Sequence, residues 1–354
     1  MITTGGTGGH VFPGLAVAAK LAASGAGVFW LGTREGIEAA LVPQHGVAFE
    51  GVSFRGVRGK GLRTLVFGPF ALLGACWAAR KIIGRRKPDV VLGFGGFASF
   101  PGGLMGAAAG KPLVLHDANA VAGLATRVLA YGADRILLGF PQALKGAHAR
   151  RVEWVGNPLR DPICTLPSPR ERFAGRSGPM RLLVVGGSLG AKGLNDLVPA
   201  AIAQLAPQER PRVVHQAGEK HIAGLREAYV RHQVDAECVA FIDEMASRYA
   251  WADFVISRGG GLTVAELAAV GLGAVVVPLP GAIADEQSAN AQFLVDAGAA
   301  WKEPQDALGA ERLAGLLRLL DRPRALAMAE AAHALGKRDA AARVAAICAE
   351  LADR

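Results

Sequence analysis

What most constrains this chain is a unit that recurs along it: a short run of Val, Ile and Leu, then a cluster of glycines, then a helical pattern. The runs at residues 27–31, 89–94, 112–116 and 135–138 show no polar alternation. Strands of that kind are buried on both faces, as in a parallel sheet. Helical patterns lie between them, as at 14–23 and 121–131. Alternating strands and helices predict an α/β doubly wound architecture.

The pattern then restarts. Val155-Gly156-Asn157-Pro158 leads into a Pro- and Arg-rich stretch, and a fresh buried strand at 180–185 ends in Gly186-Gly187-Ser188-Leu189-Gly190-Ala191. Further strands are predicted at 212–215, 238–241, 254–257 and 274–278. A chain of 354 residues accommodates two domains of about 150 residues each. We therefore expect two Rossmann-like doubly wound parallel-sheet domains facing a cleft, one over 1–159 and one over 160–336. The Ala-rich segment 337–354 is expected to form a helix that packs back on the first domain. Ligands of such sheets bind beyond the carboxyl ends of the strands.

The chain holds 47 Gly, well above the usual share of about 7%. They gather at strand ends: Gly5-Gly6-Thr7-Gly8-Gly9-His10, Gly93-Phe94-Gly95-Gly96, Gly186–Gly190 and Arg258-Gly259-Gly260-Gly261. A glycine-rich turn that opens a helix presents backbone amides and a positive helix end to an anion. It also serves as a plain tight turn. No Gly-Lys-Ser/Thr follows the first turn, and position 11 is Val, so both the P-loop and the dinucleotide fingerprint fail. Several such turns facing one cleft point to two phosphate-bearing ligands.

The net charge of +9 points to an anionic partner. Aromatic residues make up 6%, and no RNA-binding or zinc-finger pattern occurs, which disfavours nucleic acid. The four Cys are far apart and without CxxC, which fits neither a metal site nor a disulfide framework and suits a reducing compartment. Residues 64–79 form an uncharged apolar run that contains Pro69 and falls short of the roughly 18 residues a spanning helix needs. With no signal peptide in evidence, the protein is expected to be soluble or monotopic.

Taken together in this order, nine stretches resemble the MurG family of bacterial N-acetylglucosaminyltransferases, which have the GT-B fold. They are 5–14 (GGTGGHVFPG), 58–61 (RGKG), 87–96 (KPDVVLGFGG), 113–119, 155–160 (VGNPLR), 184–191 (VVGGSLGA), 241–245 (FIDEM), 260–266 (GGLTVAE) and 285–290. The resemblance implies transfer of GlcNAc from UDP-GlcNAc to the lipid-linked acceptor lipid I, with inversion, giving lipid II. It implies no metal and no cofactor, and no Asp-x-Asp motif occurs here. The pattern departs from the family's at Asp117, Ala118 and Ala120 after His116, at Leu189, and at Glu286.

Roles follow from the same resemblance. His10 would be the general base for the acceptor hydroxyl, a task an imidazole suits near neutral pH. Glu266 would bind the ribose hydroxyls. Arg160 and Ser188 would lie around the donor diphosphate and sugar, where an Arg offers paired donors. Ile242 and Met245 would flank the uracil. Thr7, Gly8, Gly9, Asn119 and Gln287 match donor-binding positions, as do Gly261, Leu262, Thr263, Val264 and Ala265 ahead of Glu266. Arg58, Lys60, Gly95 and Gly96 would meet the acceptor diphosphate.

Phe67, Phe70, Leu73 and Trp77 recur at three- and four-residue spacing, with Arg80, Lys81, Arg85 and Arg86 beside or after them. An apolar stripe beside a basic cluster reads as an interfacial helix on an anionic membrane. It reads equally as a helix packed on the sheet with a basic last turn. With a lipid-linked acceptor, the expectation is a peripheral enzyme on the cytoplasmic face of the inner membrane, with cell-wall and division proteins as further partners. Another GT-B glycolipid transferase, a UDP-GlcNAc epimerase and a non-catalytic nucleotide-sugar module remain as alternatives.

Overall fold

The computed structural model describes residues 1–54, 61–144, 151–187, 189–282 and 285–353, with only the backbone of 61–67. The chain divides into two compact units, Met1–Arg160 with Arg338–Arg354, and Asp161–Lys337.

The first unit runs β1 (Ile2–Thr3), α1 (Gly8–Ala23), β2 (Phe29–Thr33), α2 (Glu38–Gln44), β3 (Ala48–Val52) and α3 (Gly61–Arg86). It continues with β4 (Val91–Gly93), α4 (Ser99–Ala108), β5 (Leu113–Asp117), α5 (Leu124–Leu129), β6 (Arg135–Leu138) and β7 (Val152–Trp154). The second holds α6 (Asp161–Cys164), α7 (Pro169–Phe173), β8 (Arg181–Val185), α8 (Lys192–Ala203), β9 (Arg212–Gln216) and α9 (Ile222–Arg231). After these come β10 (Glu237–Val239), α10 (Met245–Trp251), β11 (Phe254–Ser257), α11 (Gly261–Val270), β12 (Gly273–Val276), α12 (Glu286–Val295), β13 (Ala300–Lys302), α13 (Ala310–Arg318) and α14 (Arg322–Leu335). The final helix, α15 (Ala340–Ala352), belongs to the first unit.

Both sheets are parallel. The first has the order β3-β2-β1-β4-β5-β6-β7, with Ile2 of β1 opposite Trp30 on one side and Leu92 on the other. The second has the order β10-β9-β8-β11-β12-β13, with Phe254 of β11 opposite Leu182 and Gly273. Strand order reverses direction at β1/β4 and at β8/β11. These are the topological switch points where doubly wound sheets take ligands.

Continuous apolar runs give strands that are buried on both faces, as in Phe254–Ser257 and Gly273–Val276. On one face of the first sheet, Val11 and Leu15 of α1 pack with Trp30, Leu92 and Val114, and with Val344, Ile347 and Leu351 of α15. α3 covers part of the other face through Ala79 and Ile82, which meet Leu31 and Val52. In the second unit, Leu194, Val198 and Ile202 of α8 and Leu313 and Leu317 of α13 share one core with β8, β9 and β11.

The helical pattern read at 14–23 places the start of α1 at Gly14. The helix instead begins at Gly8 and carries Pro13 inside it. Pro13 is the sixth helical residue, so it removes the i→i−4 bond to the Gly9 carbonyl, and the helix carries that loss within its second turn. The shift matters for function, since Gly8, Gly9 and His10 become the first helical turn.

His215 on β9 is fully buried, with Nδ1 2.9 Å from the Tyr229 hydroxyl and Nε2 3.1 Å from Asn195 Oδ1. Burial pushes its imidazole down to about 3. The unfolded chain therefore takes up this proton first as pH falls, so stability is lost from about pH 6.5 downward. Between pH 7 and pH 5 the loss from this group is expected to be about 2 kcal/mol. Urea unfolding of wild type and His215→Gln at the two pH values measures it, and an equal drop in both would sink the assignment.

Candidate functional site

At the switch point of the first sheet, Gly5-Gly6 follow β1 and α1 begins at Gly8. The cap residue, Thr7, places no side-chain bond on the amides of that turn. Its hydroxyl lies instead 3.1 Å from His10 Nδ1. The Gly93–Gly96 turn comes from the adjacent strand β4. Gly96 has φ +73°, and a Cβ there would stand 2.6 Å from Gly5 O, so only glycine lets the two turns touch. Gly95 lies against the His10 ring: a Cβ on it would be 3.8 Å from Nε2. Thr4 Oγ1 donates to Gly95 O at 3.1 Å and fixes the second turn.

β5 delivers His116 and Asp117 beside this turn. Asp117 is buried and accepts from the Asn119 and Gly123 amides at 3.2 and 3.0 Å, which shapes the loop holding Asn119. His116 is fully buried, donates through Nε2 to Gly156 O at 2.9 Å, and packs on Phe94. Burial brings its imidazole down to about 4. Burial also lowers His10, and the Asp117 charge opposes that shift. Near neutral pH His10 is thus an uncharged imidazole beside a carboxylate, able to take a proton. Arg160 is exposed, with its guanidinium 5.4 Å from the Phe12 ring of α1.

At the switch point of the second sheet, two helices open towards the strand ends. α8 follows the 186–190 turn and α11 follows Arg258-Gly259-Gly260, and neither N-terminus carries a side-chain cap or an acid in its first turn. Such ends favour anions. Asn290 of α12, fully buried, donates to Gly259 O at 3.0 Å and holds the α11 turn.

Glu266 is a buried carboxylate on α11, and the Tyr249 hydroxyl of α10 donates to its Oε2 at 2.9 Å. A carboxylate accepts about four hydrogen bonds in all, so this contact is compatible with a sugar diol. Tyr249 was not anticipated from sequence. It lies 17 residues from Glu266, on another helix, and no local spacing signals it.

The other anticipated residues fall as follows. Gly261, Leu262 and Thr263 form the first turn of α11, while the Val264 side chain is fully buried in the core and Ala265 is half-buried. Ile242 is buried in the turn after β10, and Met245 opens α10. Gln287 on α12 accepts from the Leu279 amide at 2.9 Å, which commits its side-chain oxygen to the backbone. Arg58, Lys60 and Ser188 lie outside the described residues, as does the Phe67 side chain.

α3 resolves a choice the sequence left open. Cys76, Ala79, Ile82 and Ile83 are buried against the unit, so the helix does pack on its sheet. A second apolar stripe stands opposite: Phe70, Leu73 and Trp77 are 70%, 66% and 61% exposed. Lys81 Nζ lies 3.4 Å from the Trp77 ring centroid, and Arg85 and Arg86 both pair with Glu50. Among the described residues, no helix is long and apolar enough to cross a membrane.

Two doubly wound parallel-sheet units, each with glycine-rich turns and uncapped helix starts at its switch point, are the GT-B fold. The glycosyltransferase family 28 N-terminal domain matches residues 1–138, and the family 28 C-terminal domain matches residues 181–344. A UDP-N-acetylglucosamine–N-acetylmuramyl-(pentapeptide) pyrophosphoryl-undecaprenol N-acetylglucosamine transferase of Dechloromonas aromatica is 51% identical over 99% of this chain and 98% of its own. Its counterpart in Aromatoleum aromaticum is 53% identical over 99% and 97%. The crystal structure of Acinetobacter baumannii MurG superposes with a TM-score of 0.84, at 34% identity over 99% of both chains. A UDP-N-acetylglucosamine 2-epimerase shares the fold, at a TM-score of 0.65 and 14% identity. The chain belongs to glycosyltransferase family 28, and within it to the MurG family of N-acetylglucosamine transferases.

Proposed function

We propose that this protein transfers N-acetylglucosamine from UDP-GlcNAc to the N-acetylmuramyl 4-hydroxyl of lipid I, giving lipid II for peptidoglycan. The observation that carries the reading is Glu266, a buried carboxylate held by Tyr249 one helical turn behind the uncapped start of α11. That arrangement suits a nucleotide: diphosphate at the helix start, ribose hydroxyls on the carboxylate.

The second unit would hold the donor, with uracil at Ile242 and Met245 and diphosphate at the amides of α8 and α11, and Ser188, Gln287, Arg160 and Asn119 about the diphosphate and sugar. The first unit would hold the acceptor along Arg58, Lys60, Gly95 and Gly96. His10 takes the proton as the 4-hydroxyl oxygen attacks C1 of GlcNAc from the face opposite UDP. The C1–O bond to UDP breaks, a β-linkage forms, and UDP leaves with its negative charge set against aligned amides and Arg160. No metal is required in this scheme. Purified protein with labelled UDP-GlcNAc and a short-chain lipid I analogue, in EDTA, should place label in the lipid product. UDP binding without transfer would redirect the search to another acceptor, and transfer that stops in EDTA would refute the metal-free scheme.

The Phe70, Leu73, Trp77 stripe would seat the protein on the cytoplasmic face of the membrane, with Arg80, Lys81, Arg85 and Arg86 near anionic headgroups. Each large apolar side chain withdrawn from water contributes about 1.5–3 kcal/mol. Replacing all three by Ser is therefore expected to lower partition onto phosphatidylglycerol vesicles at least about tenfold. Sedimentation with the vesicles reads this directly, while the soluble rate on a water-soluble acceptor should hold. Unchanged sedimentation would remove this helix from the membrane contact.

A further inference from the structure

Gln216 closes β9 and is buried. β9 lies between β8 and β10 in the sheet, and the Gln216 side chain bonds to the loops that follow both neighbours. The Gly186 amide donates to its Oε1 at 3.2 Å. Its Nε2 donates to Gly187 O at 3.0 Å and to Ala240 O at 3.2 Å. Gly186 and Gly187 open the glycine-rich turn ahead of α8. Ala240 opens the loop that carries Ile242 and Met245. One side-chain amide thus uses its oxygen and both its N–H groups to tie two loops together.

The surrounding backbone makes the tie stiff. The Ala217 and Gly218 amides donate to Val239 O and Ala240 O at 2.9 and 3.0 Å. On the other side, Gly190 packs so tightly that a Cβ on it would fall 1.8 Å from Ala217 O. Asn195 of α8 donates to the same Ala217 O at 3.1 Å.

We propose that Gln216 is a positioning residue for the nucleoside diphosphate: it sets the span between the turn that takes the diphosphate and the loop that takes the base. The inference rests on the donor-site reading above. UDP must meet both loops at once, whereas uridine needs one and pyrophosphate needs the other. A ligand that bridges two preset half-sites gains from their fixed separation. With the tie cut, the Ala217 and Gly218 amides still hold the loop at Ala240 to β9, but the Gly186–Gly187 turn loses its two bonds to Gln216, so the span is held less closely.

Gln216→Met keeps the volume and removes all three hydrogen bonds. Gln216→Glu keeps the bond from Gly186 but turns a charged oxygen towards two carbonyls. Calorimetric titration of wild type and both variants with UDP, uridine and pyrophosphate tests the idea. In each variant the UDP Kd is expected to rise about 10- to 50-fold, while those of uridine and pyrophosphate move less than about threefold. In steady state, KM for the donor should rise more than kcat falls. A purely structural Gln216 would weaken all three ligands alike and lower the melting temperature, and that pattern would overturn the proposal. So would a Gln216→Met protein that binds UDP as wild type does. Wild-type protein that binds no UDP would instead overturn the donor-site reading itself.

Discussion

Replacing Glu266 by Ala is expected to lower kcat/KM for UDP-GlcNAc by about 10²–10⁴-fold. A hydrogen bond to a charged group contributes about 1.5–3 kcal/mol, and a ribose diol offers two. The loss should fall mainly on KM, because the ribose contacts are made in both the ground and transition states. Glu266→Gln, which keeps an accepting oxygen but no charge, should lie between. Tyr249→Phe removes the donor that orients the carboxylate, and a drop of about tenfold is expected. Steady-state kinetics with the donor varied separate these cases. Wild-type kinetics in Glu266→Ala would mean that this carboxylate is only a buried partner for Tyr249.

His10→Ala should act on the other kinetic constant. General base catalysis contributes about 10²–10⁴-fold, and kcat should fall by that much with donor KM nearly constant. The Thr7 contact bears on the mechanism. When the hydroxyl accepts from Nδ1–H, the lone pair sits on Nε2, the ring edge beside Gly95. Thr7→Val would release the tautomer and should also depress kcat.

The pH dependence follows from the same geometry. The base must be uncharged, so activity is lost as pH falls through the His10 value. Burial places that value below 6.5, and the acid limb of kcat/KM should lie there too. Asp117 holds the value up against burial, so Asp117→Asn should carry the limb to still lower pH. A limb that moves upward in Asp117→Asn would dismiss His10 as the group that titrates.

Much of this was legible in the order of residues, for a physical reason. A parallel strand buried on both faces must be apolar throughout, so β5, β6, β8 and β11 stand out against any background. The edge strands do not. β3 and β7 are only partly buried, and β13 has three residues, one of them Lys302, so none presents an unbroken apolar run. The glycine-rich turns were equally visible, because tight turns leave few other residues to choose from. What sequence could not give was the company each side chain keeps. The Tyr249 contact with Glu266, the Asp117 charge beside His10 and the Gln216 tie all join separate elements. Only the folded topology determines such pairs. The two apolar stripes of α3 illustrate the same limit, since a helical period reports that one face is buried but not whether a second is left exposed.

The return of α15 to the first unit has a consequence for biosynthesis. Val344, Ile347 and Leu351 fill the core beside Val11 and Leu15, yet the ribosome makes them more than 300 residues later. Residues 161–337 are complete before that last helix exists. Folding of the N-terminal portion first, the usual vectorial order, cannot be finished here before the whole chain is synthesised. The first unit therefore cannot complete its core until the last residues of the chain are made.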